Sequence, residues 1–243
     1  MSKTVEQQYT SAEFMTIAVA RRFRNGATYF IGVGMPGTAA CLARKCHAPE
    51  AVLIYESGCV GAKPSFPPLS VADDELANTS DMIISIPELF TYWLQGGRID
   101  VAVLGAAQID KFGNINTTVI GNYEKPRVRL PGAGGAPEIA TNAWEVIVIL
   151  KHTRRAFVET LDFRTTPGHH VSAVITDLGI LEPDPLTREL ALVSVHAGIT
   201  PYQVMAATGW SLKMAEPLGV TPEPSGEELH HVRELQRTVP GTR

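Results

Sequence analysis

Ala51-Val-Leu-Ile-Tyr-Glu-Ser-Gly-Cys-Val-Gly61, continued by Ala62-Lys63-Pro64, is the stretch from which the fold is read. Residues 51–55 are a short unbroken run of apolar and β-favouring side chains that ends at turn residues, the pattern of a buried parallel strand. Glu56 stands where that strand stops. The carboxyl edge of an open α/β sheet is where ligands and reactive groups collect. A carboxylate ending a buried strand needs a partner or a task, because burying it unpaired is costly. Two readings stay open on spacing alone: Glu56 caps the following loop or pairs with a Lys or Arg, or it faces a site.

Working outward, residues 27–33 read as a strand, Gly34-Met-Pro-Gly37 as the turn after it, and residues 38–45 as a helix leading into the strand at 51–56. Strand, helix, strand in some 30 residues is a βαβ unit and implies a parallel pair. Upstream, residues 1–10 are polar and read as a loose arm. Ser11 offers a cap for a helix through Arg24, with Phe14, Ile17, Ala18 and Phe23 on its inner side and Gly26 as its stop. Downstream, strands are expected at 82–86, 100–105, 144–150, 156–161, 171–176 and 189–195. Helices are expected at 87–95 and from Pro201 to about Thr208. The alternation gives an α/β fold, an open, mainly parallel sheet flanked by helices in three layers. The expected organisation is an arm at 1–10, one domain at 11–215, and a tail at 216–243 with a surface helix at 227–237.

At 243 residues the chain suits one large core rather than two small ones. A formal net charge of −4 leaves no basic footprint for nucleic acid. No apolar run approaches the roughly 18 residues a membrane span needs, and the first residues lack the layout of a signal peptide. A cytoplasmic protein is expected. Cys41, Cys46 and Cys59 lack the spacing of a zinc site or a disulfide framework, so no metal is expected.

Four loops carry unusual glycine or polar density. Gly32-Val-Gly34-Met-Pro-Gly37 is either a tight strand-to-helix turn or a place where backbone amides meet an anion. The Glu56 turn is the second. At 105–118, Gln108, Asn114 and Asn116 are neutral donors of the kind that stabilise an oxyanion, although Phe112-Gly-Asn114 also reads as an ordinary turn. In Leu130-Pro-Gly-Ala-Gly-Gly-Ala-Pro137, three glycines in four positions point to positive φ or to close approach of backbone and ligand. Lys125, Arg127 and Arg129, just before it, suit a carboxylate or phosphate, and equally a solvated or subunit-facing basic cluster. The pairs His169-His170 and His230-His231 diverge in extended chain and make no ready metal site. His196 reads as structural or as approaching a site, and Cys59 as loop packing.

Together, Tyr-Glu56-Ser-Gly-Cys-Val-Gly-Ala-Lys-Pro, Gly-Arg98-Ile-Asp-Val, Gly-Ala-Ala-Gln108-Ile-Asp-Lys-Phe-Gly-Asn-Ile-Asn116-Thr-Thr and Leu-Pro-Gly-Ala-Gly-Gly135-Ala resemble the β subunit of family I CoA-transferases. The resemblance spans roughly residues 12–215. It is closest to the glutaconate type, which includes 3-oxoadipate CoA-transferases of aromatic degradation. It implies that Glu56 is a nucleophile forming an acyl-glutamyl anhydride and then a glutamyl-CoA thioester, with ping-pong kinetics. The amides of Gly134 and Gly135 and the side chain of Asn116 become the candidate oxyanion donors, with Gln108, Ser57 and Gly58 as further oxyanion or substrate contacts. Gly32, Gly34, Arg127 and Arg129 are weaker candidates for CoA or a carboxylate. The CoA thioester is a substrate, and no permanently bound cofactor is implied. A separate α subunit sharing the active site is implied, in a higher oligomer such as α2β2.

One departure stands out. Glutaconate-type members carry a longer glycine-rich insertion before the strand matching residues 171–176, whereas Phe163 here leads through Arg-Thr-Thr-Pro-Gly-His-His directly into Val171. That leaves substrate size and pocket closure open. The alternatives are a CoA-ester hydrolase or decarboxylase on the same fold, against which retention of Glu56 argues, and a non-catalytic sugar-phosphate-binding regulator, which leaves the Glu56 turn unexplained.

Overall fold

A computed structural model describes residues 9–238; most of the expected arm at 1–10 therefore lies outside the described residues. The chain opens with α1 (Ser11–Ala20), capped by Thr10 rather than Ser11. Thr10 Oγ1 accepts from Glu13 N–H at 3.1 Å while the Glu13 carboxylate accepts from Thr10 N–H at 2.6 Å. The Glu lies three residues after the cap, which favours Thr10 over its neighbour. The helix ends at Ala20, short of the expected Arg24, yet Phe23 stays buried and stacks on Tyr29 at 4.2 Å.

The order then runs β1 (Thr28–Ile31), α2 (Met35–Cys46), β2 (Val52–Ile54), β3 (Cys59–Ala62), α3 (Asp74–Thr79) and β4 (Met82–Ile83). A helical turn, α4 (Ile86–Glu88), continues into a π-helical segment at Leu89–Leu94. Next come β5 (Val101–Gly105), two short hairpins made of β6 (Gln108–Ile109) with β7 (Ile115–Asn116) and β8 (Val119–Gly121) with β9 (Pro126–Arg129), α5 (Ala136–Asn142) and β10 (Glu145–Ile149). The described chain closes with β11 (Val171–Ile175), β12 (Gly179–Pro183), β13 (Leu190–Val195), α6 (Pro201–Ala206), β14 (Lys213–Val220) and α7 (Gly226–Thr238).

Ten strands form one sheet in the order β14-β13-β12-β11-β10-β5-β1-β2-β3-β4. Its centre, β2-β1-β5-β10-β11, is parallel throughout, as the βαβ reading expects. Antiparallel strands extend it at both sides, and β14 returns parallel to β13. Period-2 alternation sends successive side chains to opposite faces. Tyr29, Ile31, Val101, Val103, Ile147 and Ile149 pack under α1, α2 and α7 on one face. Phe30, Ile54, Ala102, Leu104, Val146 and Val148 pack on the other face with Leu89 and Leu94 of the π-helix and Ile139 of α5. Each fully buried aliphatic side chain contributes about 1.5–3 kcal/mol, so two such faces are ample to hold three layers.

Three expectations change. Residues 156–161 make no strand; Phe157 forms a single bridge to Ile109 and stacks on His152 at 3.7 Å, so this run packs by its rings instead of a ladder. The strand expected at 82–86 stops at Ile83, because Ser85 caps the next helix in a capping box with Glu88. The boundary expected at residue 215/216 falls inside β14, and α7 buries Leu229, Val232 and Leu235 against α1 and α2. No described helix is long and apolar enough to cross a membrane.

Candidate active site

Parallel strands that run the same way bring their carboxyl ends to one edge. Glu56 after β2, Gly32 and Gly34 after β1, and Gln108 after β5 all sit there. Glu56 occupies a tight reversal between β2 and β3, closed by Gly58 N–H donating to Tyr55 O at 2.9 Å and Tyr55 N–H donating to Cys59 O at 3.0 Å. Gly58 is there for a steric reason. Its φ is +94°, and a Cβ on it would lie 2.1 Å from Ile84 O. Ile84 N–H donates to Gly58 O at 3.0 Å, which ties the turn to the chain just past β4.

Ile54 faces the π-helix side of the sheet and Tyr55 the other, so Glu56 returns by alternation to the π-helix side. There it meets the glycine-rich loop. A Cβ on Gly135 would stand 2.7 Å from Glu56 Oε1, 2.8 Å from Phe90 Cζ and 3.2 Å from Ile139 Cδ1. Only a glycine lets backbone, carboxylate and ring approach this closely. Glu56 is half-buried and its carboxylate makes no hydrogen bond or ion pair among the described residues. The reading of Glu56 as a cap or an ion-pair partner therefore fails. Ser57 Oγ, next to it, is buried without a partner among the described residues.

The loop itself is held at its ends and free in the middle. Gly132 N–H donates to Thr117 O at 2.8 Å and Ile139 N–H to Gly135 O at 2.9 Å, whereas the N–H groups of Gly134 and Gly135 reach no acceptor among the described residues. Gly132 (φ +107°) and Gly134 (φ +51°) have open space where a Cβ would be. Gly134 in the left-handed region followed by Gly135 at φ −82°, ψ −4° turns successive amides to one side, the alternation of an anion nest.

Asn116 does not join this group. It is fully buried, and both of its amide hydrogens are committed, one to Gln108 Oε1 at 2.8 Å and one to Val119 O at 2.7 Å. Its Oδ1 accepts from Thr118 N–H at 3.0 Å and Val119 N–H at 3.3 Å. An oxyanion role for Asn116 would therefore require it to exchange one of these bonds. Gln108 in turn donates to Arg155 O at 3.2 Å. Asn114 closes the Asp110 turn and accepts from Gly168 N–H at 3.0 Å. The short segment before Val171 lies along β7, with Ile115 N–H donating to Thr166 O at 2.9 Å.

Gly32 and Gly34 serve the strand-to-helix turn. A Cβ on Gly32 would crowd Val103 O at 3.3 Å, and Gly34 (φ +82°) begins α2. Arg129 folds onto its own hairpin, over the Tyr123 ring at 5.1 Å and bonded to Tyr123 O. Arg127 instead lines a cleft of about 580 Å³ with Gln108, Arg155, Thr160 and Asp162. Arg155 and Thr160 escaped the sequence reading because neither lies in a motif. Phe90 escaped it because nothing in a sequence marks a π-turn.

His196 is buried with Nε2 on Thr176 O at 2.7 Å, and burial lowers its pKa to about 4. Cys41 is buried and its thiol pushed up to about 12 by burial, which leaves it unreactive at neutral pH. Cys59 is buried too. Among the described residues, His230, His231 and Glu234 on α7 lie close enough together to hold a metal ion, since the helix brings the adjacent histidines near one another. Glu234 is already paired with Lys45 at 2.8 Å.

Residues 12–207 match the coenzyme A transferase family. The chain is 51% identical, over 94% of each protein, to a 3-oxoadipate CoA-transferase subunit of Pseudomonas knackmussii. It is 31% identical to the cholesterol ring-cleaving hydrolase IpdB subunit of Rhodococcus jostii, over 97% of this chain and 95% of that protein. Among solved structures, glutaconate coenzyme A-transferase of Acidaminococcus fermentans superposes with a TM-score of 0.87 at 29% identity, covering 93% of this chain and 94% of that one. The fold and family that the Glu-Ser-Gly and Gly-Ala-Gly-Gly motifs imply are thus the ones found. The chain belongs to the coenzyme A transferase family.

Proposed function

We propose that the chain is the β subunit of an acyl-CoA:carboxylate CoA-transferase acting on a dicarboxylic or 3-oxo acid such as 3-oxoadipate or glutaconate, with Glu56 as its nucleophile. The observation that carries the reading is the unpaired Glu56 carboxylate lying against Gly135, beside two backbone N–H groups with no acceptor among the described residues. In the first step a Glu56 oxygen bonds the thioester carbonyl carbon, the C–S bond breaks, and CoA leaves as the thiolate. The thiolate then attacks the glutamyl carbonyl of the anhydride and expels the donor acid as its carboxylate. The acceptor carboxylate attacks the glutamyl-CoA thioester, thiolate leaves again, and its attack on the acceptor acyl carbon restores Glu56. Each attack passes through a tetrahedral oxyanion, for which the unbonded Gly134 and Gly135 amides and the Ser57 hydroxyl are the proposed donors.

A separate α subunit completes the site, in keeping with the subunit naming of the relatives; an α2β2 assembly is the simplest form. The guanidinium of Arg127 in the 580 Å³ cleft, without a partner among the described residues, suits the anionic end of the substrate or CoA. A second reading is different chemistry on the same fold, in keeping with relatives named a ring-cleaving hydrolase and a decarboxylase; CoA-ester hydrolysis is its testable form. The test is peptide mass spectrometry of the co-expressed αβ complex after succinyl-CoA, with borohydride to reduce the thioester. A reduced adduct on the Glu56 peptide is expected. CoA released into water with that peptide unmodified would favour hydrolysis, and no CoA chemistry would exclude both.

A further inference from the structure

The glutamyl-CoA thioester of the proposed cycle faces two competing nucleophiles, the acceptor carboxylate and water. Hydrolysis would form a C–O bond from water to the glutamyl carbonyl, break C–S, and return Glu56 as carboxylate with CoA as thiol, losing the acyl group's activation. What keeps water away from Glu56 is therefore decisive for the outcome. The groups touching Gly135 answer this on one side. A point at the Gly135 Cβ position lies 2.7 Å from Glu56 Oε1 and 2.8 Å from Phe90 Cζ, so the oxygen and the ring edge are separated by no more than the sum of those distances. The ring is anchored edge-on against Phe30, with centroids 6.2 Å apart and planes at 68°.

Phe90 owes this position to the π-helix. Gln95 N–H donates to Phe90 O at 2.9 Å and Arg98 N–H to Trp93 O at 2.9 Å, both spanning five residues. The widened turn buries Leu89 and Leu94 in the core and leaves Phe90 half-buried at the carboxylate. π-turns inside helices are rare and gather at functional sites. The segment is also fastened to α5, which follows the glycine loop, by Gln95 Nε2 donating to Glu138 at 2.6 Å. The ring and the helix that follows the glycine loop are thus tied together beside Glu56.

We propose that Phe90 is a water-excluding positioning residue that sets the partition of the glutamyl-CoA thioester between transfer and hydrolysis. The proposal rests on Glu56 being the nucleophile. It is tested in the co-expressed αβ complex by measuring, with succinyl-CoA and an acceptor acid, the CoA thioester hydrolysed per CoA transferred. Phe90→Leu, which keeps apolar bulk, is expected to stay within about twofold of wild type. Phe90→Val and Phe90→Ala are expected to raise the ratio progressively, to the order of tenfold for alanine. If Phe90→Ala does not assemble, Phe90→Val carries the comparison. An unchanged ratio in the smaller variants, with transfer still running, overturns the proposal and leaves the transferase reading intact. Equal rises in the leucine and valine variants also overturn it, since general loosening of the π-helix would act that way. Wild-type protein that transfers no CoA and forms no Glu56 adduct removes the proposed function and this proposal with it.

Discussion

Two polar assemblies lie along the same edge of the sheet and obey opposite rules. The Asn116 amide itself is consumed: Gln108, Val119, Thr118 and Thr165 surround it with no surface exposed, although Thr117 Oγ1 and Thr166 Oγ1 nearby are buried without a partner among the described residues. Around Glu56 donors and acceptors are left over: the carboxylate, Ser57 Oγ and the Gly134 and Gly135 amides reach no partner among the described residues. Both contain the residue types from which an oxyanion site is built, so type alone does not separate them. A satisfied network specifies and stabilises a fold, whereas chemistry needs groups held in place with bonding capacity unspent.

The strongest way to break this contrast is Glu56→Ala. Transferase kcat is expected to fall by roughly 10³-fold or more with Tm and assembly unchanged; near-normal turnover would sink the nucleophile assignment. Acid probes the core through two buried histidines. His152 bonds Thr208 at 2.9 Å, stacks on Phe157, and has its pKa lowered to about 4 by burial; His196 is lowered to about 4 for the same cause. Each is neutral in the fold and takes up a proton more readily once unfolded. Their contribution is complete above pH 6.5 and is lost as pH falls towards 4, about 3 kcal/mol for each. Thermal unfolding at pH 7 and pH 4.5 should show a steep drop that His152→Gln makes shallower, and parallel curves for wild type and variant would refute it.

Asn116→Ala strands Gln108 Oε1 and Val119 O and is expected to cost roughly 2–3 kcal/mol of stability, while kcat per folded molecule holds. A large loss of kcat at unchanged Tm would return Asn116 to the oxyanion site. Gly135→Ala should do the reverse, lowering kcat about tenfold as the new methyl displaces Glu56 or Phe90, with little change in Tm. Full activity in that variant would mean that the close contact has no catalytic weight.

The sequence disclosed the parallel centre of the sheet because residues 29–31, 53–55, 101–104 and 146–149 are buried on both faces and so are apolar without interruption. It disclosed Glu56 because a carboxylate ending such a run is conspicuous. Short strands such as β3 and β6 to β9 left no signal, since two to four residues carry no periodicity. The π-turn that presents Phe90 and the commitment of both Asn116 hydrogens arise only when distant segments meet. For Asn116 a spent amide and an available one are written with the same letter.

The turn that bears Glu56 also differs from the glycine loop in how each exchanges with solvent. Tyr55, Gly58 and Ile84 have their N–H groups bonded across the turn and to the neighbouring segment, whereas Gly134 and Gly135 are unbonded among the described residues. In amide hydrogen exchange the first set reports slow, cooperative opening and the second fast, local motion. Glu56 is then carried by the fixed turn, and the glycine loop is the adjustable member. A stably bound anion or CoA thioester held by this loop is expected to slow exchange at residues 134 and 135 while leaving the Glu56 turn unchanged.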